Sequence, residues 1–191
     1  VFDLETTGLA PTRGDAIVAI GAVELRDAMP TGRSFAALVD PRRPIPPAST
    51  RYHGITDADV AGAPEEAAAI AALHAFAGDA VLVAHNAAFD MACLHVAELR
   101  GAPPTPNPAL CSLALSQWLD PQESDHSLDA VAARAGVVIA GRHDALGDAA
   151  ATAELFARLL ARADARGVDH LEELFRRTGM RARLAGAADR F

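Results

Sequence analysis

The chain has 191 residues, so the expectation is one globular domain or one plus a short appendage, not a large multidomain machine within this sequence. It is 51% hydrophobic and 22% charged with a formal net charge of −8, a composition that supplies a real apolar core but no broadly basic surface. No apolar run approaches the ~18 residues of a membrane span, no secretory leader is visible, and Cys93 and Cys111 are isolated, so the expectation is a cytoplasmic protein without membrane partner, disulfide framework or thiolate zinc site.

Residues 1–5 alternate in the manner of a strand, and Thr6-Thr7-Gly8 ends the run, so Asp3 and Glu5 share one strand face. The sequence starts directly on this strand, whose beginning is expected upstream. Residues 17–27 read as a second strand and 34–39 as a third, with connections short enough for an antiparallel meander. A proline-rich crossing, 41–47, leads into Tyr52-His53-Gly54-Ile55-Thr56. Pro64-Glu65-Glu66 opens a helix that Gly78 closes.

Residues 80–84 form a short apolar strand, buried on both faces. Asn86 is the expected N-cap of a helix with Phe89, Cys93, Val96 and Leu99 on its core stripe, ended by Gly101. Residues 102–108 are loop by their prolines, and shorter helical patterns follow at 111–119 and 127–135. The strongest helix runs over about 145–165, with Leu146, Ala149, Ala153, Phe156 and Leu160 toward the core. A last helical piece, 169–178, leads into an arginine-rich end. Trp118 and Phe76 are expected in the core. Strands first, then strand and helix in alternation, indicate an α/β fold with a mixed sheet flanked by helices.

Three constellations carry chemistry. Asp3-x-Glu5-Thr6-Thr7-Gly8 sets two carboxylates on one strand face, where they repel each other unless cations lie between them. Paired hard oxygen ligands of this kind suit Mg2+ or Mn2+. His85-Asn86-Ala87-Ala88-Phe89-Asp90 sits at the carboxyl end of a buried strand, the end at which α/β proteins place ligands. His143-Asp144-Ala145-Leu146-Gly147-Asp148 brings a histidine, with an unperturbed pKa of ~6.5 suited to a general base, close to an aspartate in the first turn of a helix.

Taken together, Asp3, Glu5, Asp90, His143 and Asp148 resemble, in order and local context, the DEDDh 3'-5' exonucleases, and the likeness covers about residues 1–162. The resemblance implies an RNase H-like fold with a mixed five-stranded sheet. It implies two divalent metal ions, Mg2+ or Mn2+, held by Asp3, Glu5, Asp90 and Asp148, with His143 as base. It further assigns Thr6, Thr7, Gly8 and Leu9 to the pocket of the 3'-terminal nucleotide. His53 matches a His-Gly-Ile segment of the branch typified by the epsilon proofreading subunit of bacterial DNA polymerase III, and Asn86 and Phe89 fall at positions near the substrate.

The division expected is an exonuclease domain at 1–165 and a C-terminal helix with an arginine-rich tail at 166–191. The first part carries 11 arginines and 21 acids, −10, and the second 6 arginines and 4 acids, +2. Such a balance favours a small footprint on a strand end over binding along a duplex, since non-specific nucleic-acid affinity is driven by basic surface. Arg176, Arg177, Arg181 and Arg183 are candidates for a phosphate-contacting tail. The leading function is an epsilon-like exonuclease on single-stranded DNA 3' ends in repair or proofreading, expected either to stand alone or to be the exonuclease domain of a longer protein, with a polymerase or further domain outside this chain, rather than a core replisome subunit. The alternatives are an exoribonuclease of the same family and a non-catalytic nucleic-acid-binding module.

Overall fold

A computed structural model describes residues 1–178 of the protein. Strands β1 (Phe2–Thr6), β2 (Ile17–Arg26) and β3 (Met29–Leu38) form an antiparallel sheet in the order β1-β2-β3. In this register Asp3 faces Gly21 and Glu5 faces Ala19, and the pairing shifts between Glu5 and Thr6. Phe2, Leu4 and Thr6 are buried while Asp3 and Glu5 remain partly accessible, as a period of two requires. The third strand starts five residues earlier than the sequence reading places it. Asp27 and Ala28 form a two-residue turn with positive φ at both, 50° and 60°, the geometry of a type I′ hairpin. An alanine in that position carries no turn signal, which is why the strand's start was not legible.

The crossing after β3 is more ordered than its prolines suggest. It contains helix α1 (Pro47–His53), started by proline and stopped at Gly54 in the left-handed region. Helix α2 (Asp57–Val60) follows, entered through a capping box between Thr56 and Asp59. Ile45 and Val60 clamp this segment onto Val18 of β2 in a small core of their own.

Helix α3 (Glu66–Ala77) precedes β4 (Leu82–Ala84) and α4 (Ala87–Leu99). Strand β5 (Ala109–Cys111) pairs in parallel with β4, Leu82 opposite Ala109 and Ala84 opposite Cys111. The sequence reading starts a helix at 111. Instead three apolar residues after Pro108 complete the sheet, and helix α5 (Ser112–Leu119) begins after them. Strand β4 lies alongside β1, so the five strands run β3-β2-β1-β4-β5 in space, with ladder pairing inside the antiparallel three and the parallel two.

Helices α6 (Leu128–Ala135), α7 (Ala145–Asp164) and α8 (Leu171–Thr178) close the domain. α7 lies across β1, β2 and β3, and its buried Leu155, Phe156 and Leu159 join Phe2, Leu4, Ile17 and Ile20 in one continuous core. The expected stripe of α4 needs correction. Leu99 is 71% exposed, Phe89 and Val96 are half-buried, and the face that packs is Asp90, Met91, Cys93, Leu94 and Ala97. Leu146 and Leu160 of α7 are likewise only half-buried.

Trp118 and Phe76 are also half-buried rather than central, and their faces are covered by guanidinium groups, Arg166 and Arg177 over Trp118 and Arg33 over Phe76. The proposed tail residues Arg176 and Arg177 pair with Glu173, while Arg181 and Arg183 lie outside the described residues. Among the described residues, no helix is long and apolar enough to cross a membrane.

Candidate active site

Gly21 fixes how the site is assembled. A Cβ at this position would lie 2.2 to 2.3 Å from the backbone of Ala145 and Leu146, so the bare strand lets the N-terminal turn of α7 rest directly on β2, beside Asp3. That turn holds Asp148, whose neighbour Gly147 is pressed against the carbonyls of Ala140 and Gly141. Asp144 caps the helix by accepting from the Gly147 N–H at 2.9 Å. His143, with φ of 62°, turns out of the preceding loop, and its backbone N–H donates to Asp148 Oδ2 at 3.0 Å.

The third element is the first turn of α4. Asn86 occupies its N-cap position in the left-handed region, φ 63°, but makes no side-chain cap, contrary to the expectation for a capping asparagine. This tight entry sets Asp90 one turn in, 3% exposed, behind β1. The histidine that opens the segment has a structural task. His85 bonds the Ser112 hydroxyl and the His126 carbonyl through its two ring nitrogens, each at 2.9 Å, and His126 in turn reaches Ser116 at 2.8 Å.

Four carboxylates and a histidine from three distant segments thus converge. Single ligand atoms of Glu5, His143 and Asp148 lie within 4.8 Å of one another. Burial first, and then the charges of Asp90, Glu5 and Asp148, push the Asp3 carboxyl well above the ordinary carboxylate range. Burial and Asp148 raise Glu5 to about 7. Burial also raises Asp90 to about 7, against backbone hydrogen bonds from its own N–H and that of Leu4. Asp148 is raised by burial although Arg142 opposes the shift. Four acids pushed upward together are a site short of positive charge.

The donor set fits a divalent ion. Asp148 Oδ1 is buried with no hydrogen-bond partner, so an acceptor lone pair is left facing inward. All four carboxylates offer hard oxygen ligands, the preference of Mg2+ and Mn2+.

Around this centre the candidate substrate residues fall into two groups. The hydroxyls of Thr6 and Thr7 are committed inside the turn: Thr6 donates to the Gly8 carbonyl at 2.7 Å, and Thr7 bonds Asp15 and accepts from the Ala16 N–H. Gly8 packs so closely on the Asp15 carboxylate that a Cβ would approach it to 2.4 Å. Leu9, by contrast, is 87% exposed. His53 stands near the Thr6 carbonyl and His143. Its Nδ1 accepts from the Ile55 N–H at 3.0 Å, so the proton of the neutral ring sits on Nε2, a buried donor without a partner. Phe89 packs against the core and Asn86 is exposed.

Three contributors escaped the sequence reading. Tyr52, 70% exposed, meets the His143 ring edge-on at 5.6 Å between centroids. Arg142 bonds Asp148. Gly21 had a usable signal, because a lone glycine inside a strand marks close backbone approach.

The exonuclease family model matches residues 1–156. The chain is 50% identical over 171 residues to a DNA polymerase III subunit epsilon-like protein of Rhodobacter capsulatus, covering 88% of this chain and 24% of that protein. It is 37% identical over 160 residues to the PolC-type DNA polymerase III of Latilactobacillus sakei, covering 83% of this chain and 11% of the relative. The chain therefore spans about a quarter or less of the length of these curated relatives. Among solved structures it is similar to exonuclease X in complex with 5'-overhanging duplex DNA, at 29% identity and a TM-score of 0.72, covering 93% of this chain and 97% of that one. The fold is shared with Escherichia coli exonuclease I bound to a dT13 oligonucleotide, at 18% identity and a TM-score of 0.71, covering 86% of this chain and 41% of that one.

Proposed function

We propose, for a chain that belongs to the exonuclease family its first 156 residues match, a 3'-5' exonuclease that removes 5'-mononucleotides from single-stranded DNA ends in repair or proofreading. The observation that carries this reading is the convergence of Asp3, Glu5, Asp90 and Asp148 beside His143, with Asp148 Oδ1 left without a partner.

Hydrolysing a phosphodiester adds a nucleophile to an already anionic phosphorus, so positive charge and an oriented water are required. Two divalent ions held by the four carboxylates would supply both. Asp3, Glu5, Asp90 and Asp148 would hold them. His143 takes the proton of the attacking water on its unprotonated ring nitrogen. His53, beside His143 and the Thr6 carbonyl, would offer its Nε2–H to an acceptor of the terminal nucleotide. Leu9 and Tyr52 offer exposed apolar and aromatic surface against which bases pack. DNA is favoured over RNA because exonuclease X and exonuclease I are seen with DNA. A polymerase context is supported by the epsilon-like and PolC-type relatives.

The test is digestion of matched, 5'-labelled DNA and RNA oligonucleotides, with free or blocked 3' ends, in Mg2+ or Mn2+. Stepwise shortening of DNA from a free 3' end is the expected result. Folded protein that releases nothing from any 3' end would refute the reading, and faster shortening of RNA would reassign the substrate.

A further inference from the structure

Among the described residues, Arg142 is an arginine that faces these carboxylates, and the chemistry above gives it no task. Its Nη1 donates to Asp148 Oδ2 at 2.5 Å and lies 3.3 Å from His143 Nδ1. Its Nε reaches both oxygens of Asp129, in the first turn of α6, at 3.1 and 3.2 Å. The Asp148 side chain is 4% exposed and that of Asp129 is 63% exposed, so the guanidinium bridges the buried centre and the surface.

We infer that Arg142 is a tethered, exchangeable cation, which neutralises Asp148 while no metal is held and turns onto the phosphate of the bound nucleotide once the carboxylates are metal-loaded. This rests on the metal-dependent nuclease reading above. An arginine cannot discharge itself by losing a proton. Left on Asp148, it would oppose a divalent cation with like charge at contact distance, a repulsion that persists even in water.

The geometry lets it leave. Asp148 Oδ2 keeps the His143 N–H when the guanidinium withdraws, and Oδ1 has nothing to lose. The planar guanidinium turns as one unit, and the Asp129 carboxylate, paired with Nε on an exposed side chain, has room to follow it and keep it tethered as Nη1 leaves Asp148. The natural new partner is a phosphate, whose paired oxygens match the planar fork. The 5'-phosphate of the terminal nucleotide is the scissile group, and it arrives where the carboxylates converge.

Calorimetry on the full chain tests this with two probes, Mn2+ alone and then dTMP in saturating Mn2+. Arg142→Met is expected to bind Mn2+ about tenfold more tightly and dTMP about tenfold more weakly, opposite signs that a merely structural arginine would not produce. Arg142→Lys keeps the charge but loses the fork, so its Mn2+ affinity stays within about twofold of wild type while dTMP still weakens. If both affinities of Arg142→Met move in the same direction, or either stays at the wild-type value, the exchange is overturned. Wild-type protein that binds no Mn2+ would overturn the metal-site reading itself.

Discussion

Gly21→Ala separates the assembly of the site from its chemistry, because the residue carries no functional group. The new methyl would sit 2.2 Å from the Ala145 carbonyl carbon, whereas ordinary contact begins at 3.4 Å, so the N-terminal turn of α7 has to retreat by about 1.2 Å. Overpacking of this kind costs about 1–3 kcal/mol, which for a domain of this size lowers Tm by roughly 2–12 °C. The same retreat carries Asp148 and His143 away from Asp3 and Glu5, and a misplacement of about 1 Å at a reacting centre costs on the order of 100-fold in rate. The assay pairs a thermal melt with single-turnover cleavage of a DNA 3' end at a temperature at which the variant is fully folded. A variant that melts lower but cuts at the wild-type rate would show that the approach of α7 to β2 serves stability alone. One unchanged in both would refute the close contact.

Other outcomes follow from the same geometry. His143→Ala is expected to lose about 100- to 10,000-fold in kcat while retaining Mn2+ binding by calorimetry, whereas Asp3→Ala loses both. Glu5 and Asp90, raised to about 7 in the folded chain, bind more protons there than when unfolded. Their stabilising contribution is therefore present below the unfolded carboxylate range and is lost as pH rises through about 7, in the chelator-treated protein. Glu5→Gln should flatten that loss between pH 5 and pH 8 in thermal melts, and an unchanged slope would remove Glu5 from the account. Finally, Arg176→Ala with Arg177→Ala should leave KM for a single-stranded oligonucleotide within about twofold, because both side chains are already paired with Glu173. A clear rise in KM would restore them to substrate binding.

Much of the fold was legible because it rests on local periodicity. The alternation in β1 placed Asp3 and Glu5 on the accessible face, the acids after Pro64 opened α3, and the apolar repeat announced α7. What failed was short or locally silent. Strand β5 has only three residues and no period to read, and the Asp27-Ala28 turn carries an alanine where a glycine ordinarily permits positive φ. Leu99 fits the helical stripe of α4 yet is exposed, since the helix packs through Asp90, Met91, Cys93, Leu94 and Ala97 on β4, β5 and α3.

The sequence by itself determined the inventory: two carboxylates at i and i+2 on a strand, an aspartate at a helix start and a histidine five residues before another. Types and spacings within one element are set by backbone geometry, and so survive in the one-dimensional record. Only the tertiary structure decided that these groups meet. Glu5 and Asp148 are more than a hundred residues apart in the chain, and Gly21 lets α7 close that distance by having no side chain. The same holds for Arg142, whose task depends on Asp129 and Asp148 flanking it in space. Charge balance in a buried site is a property of neighbours, and neighbours are fixed by packing.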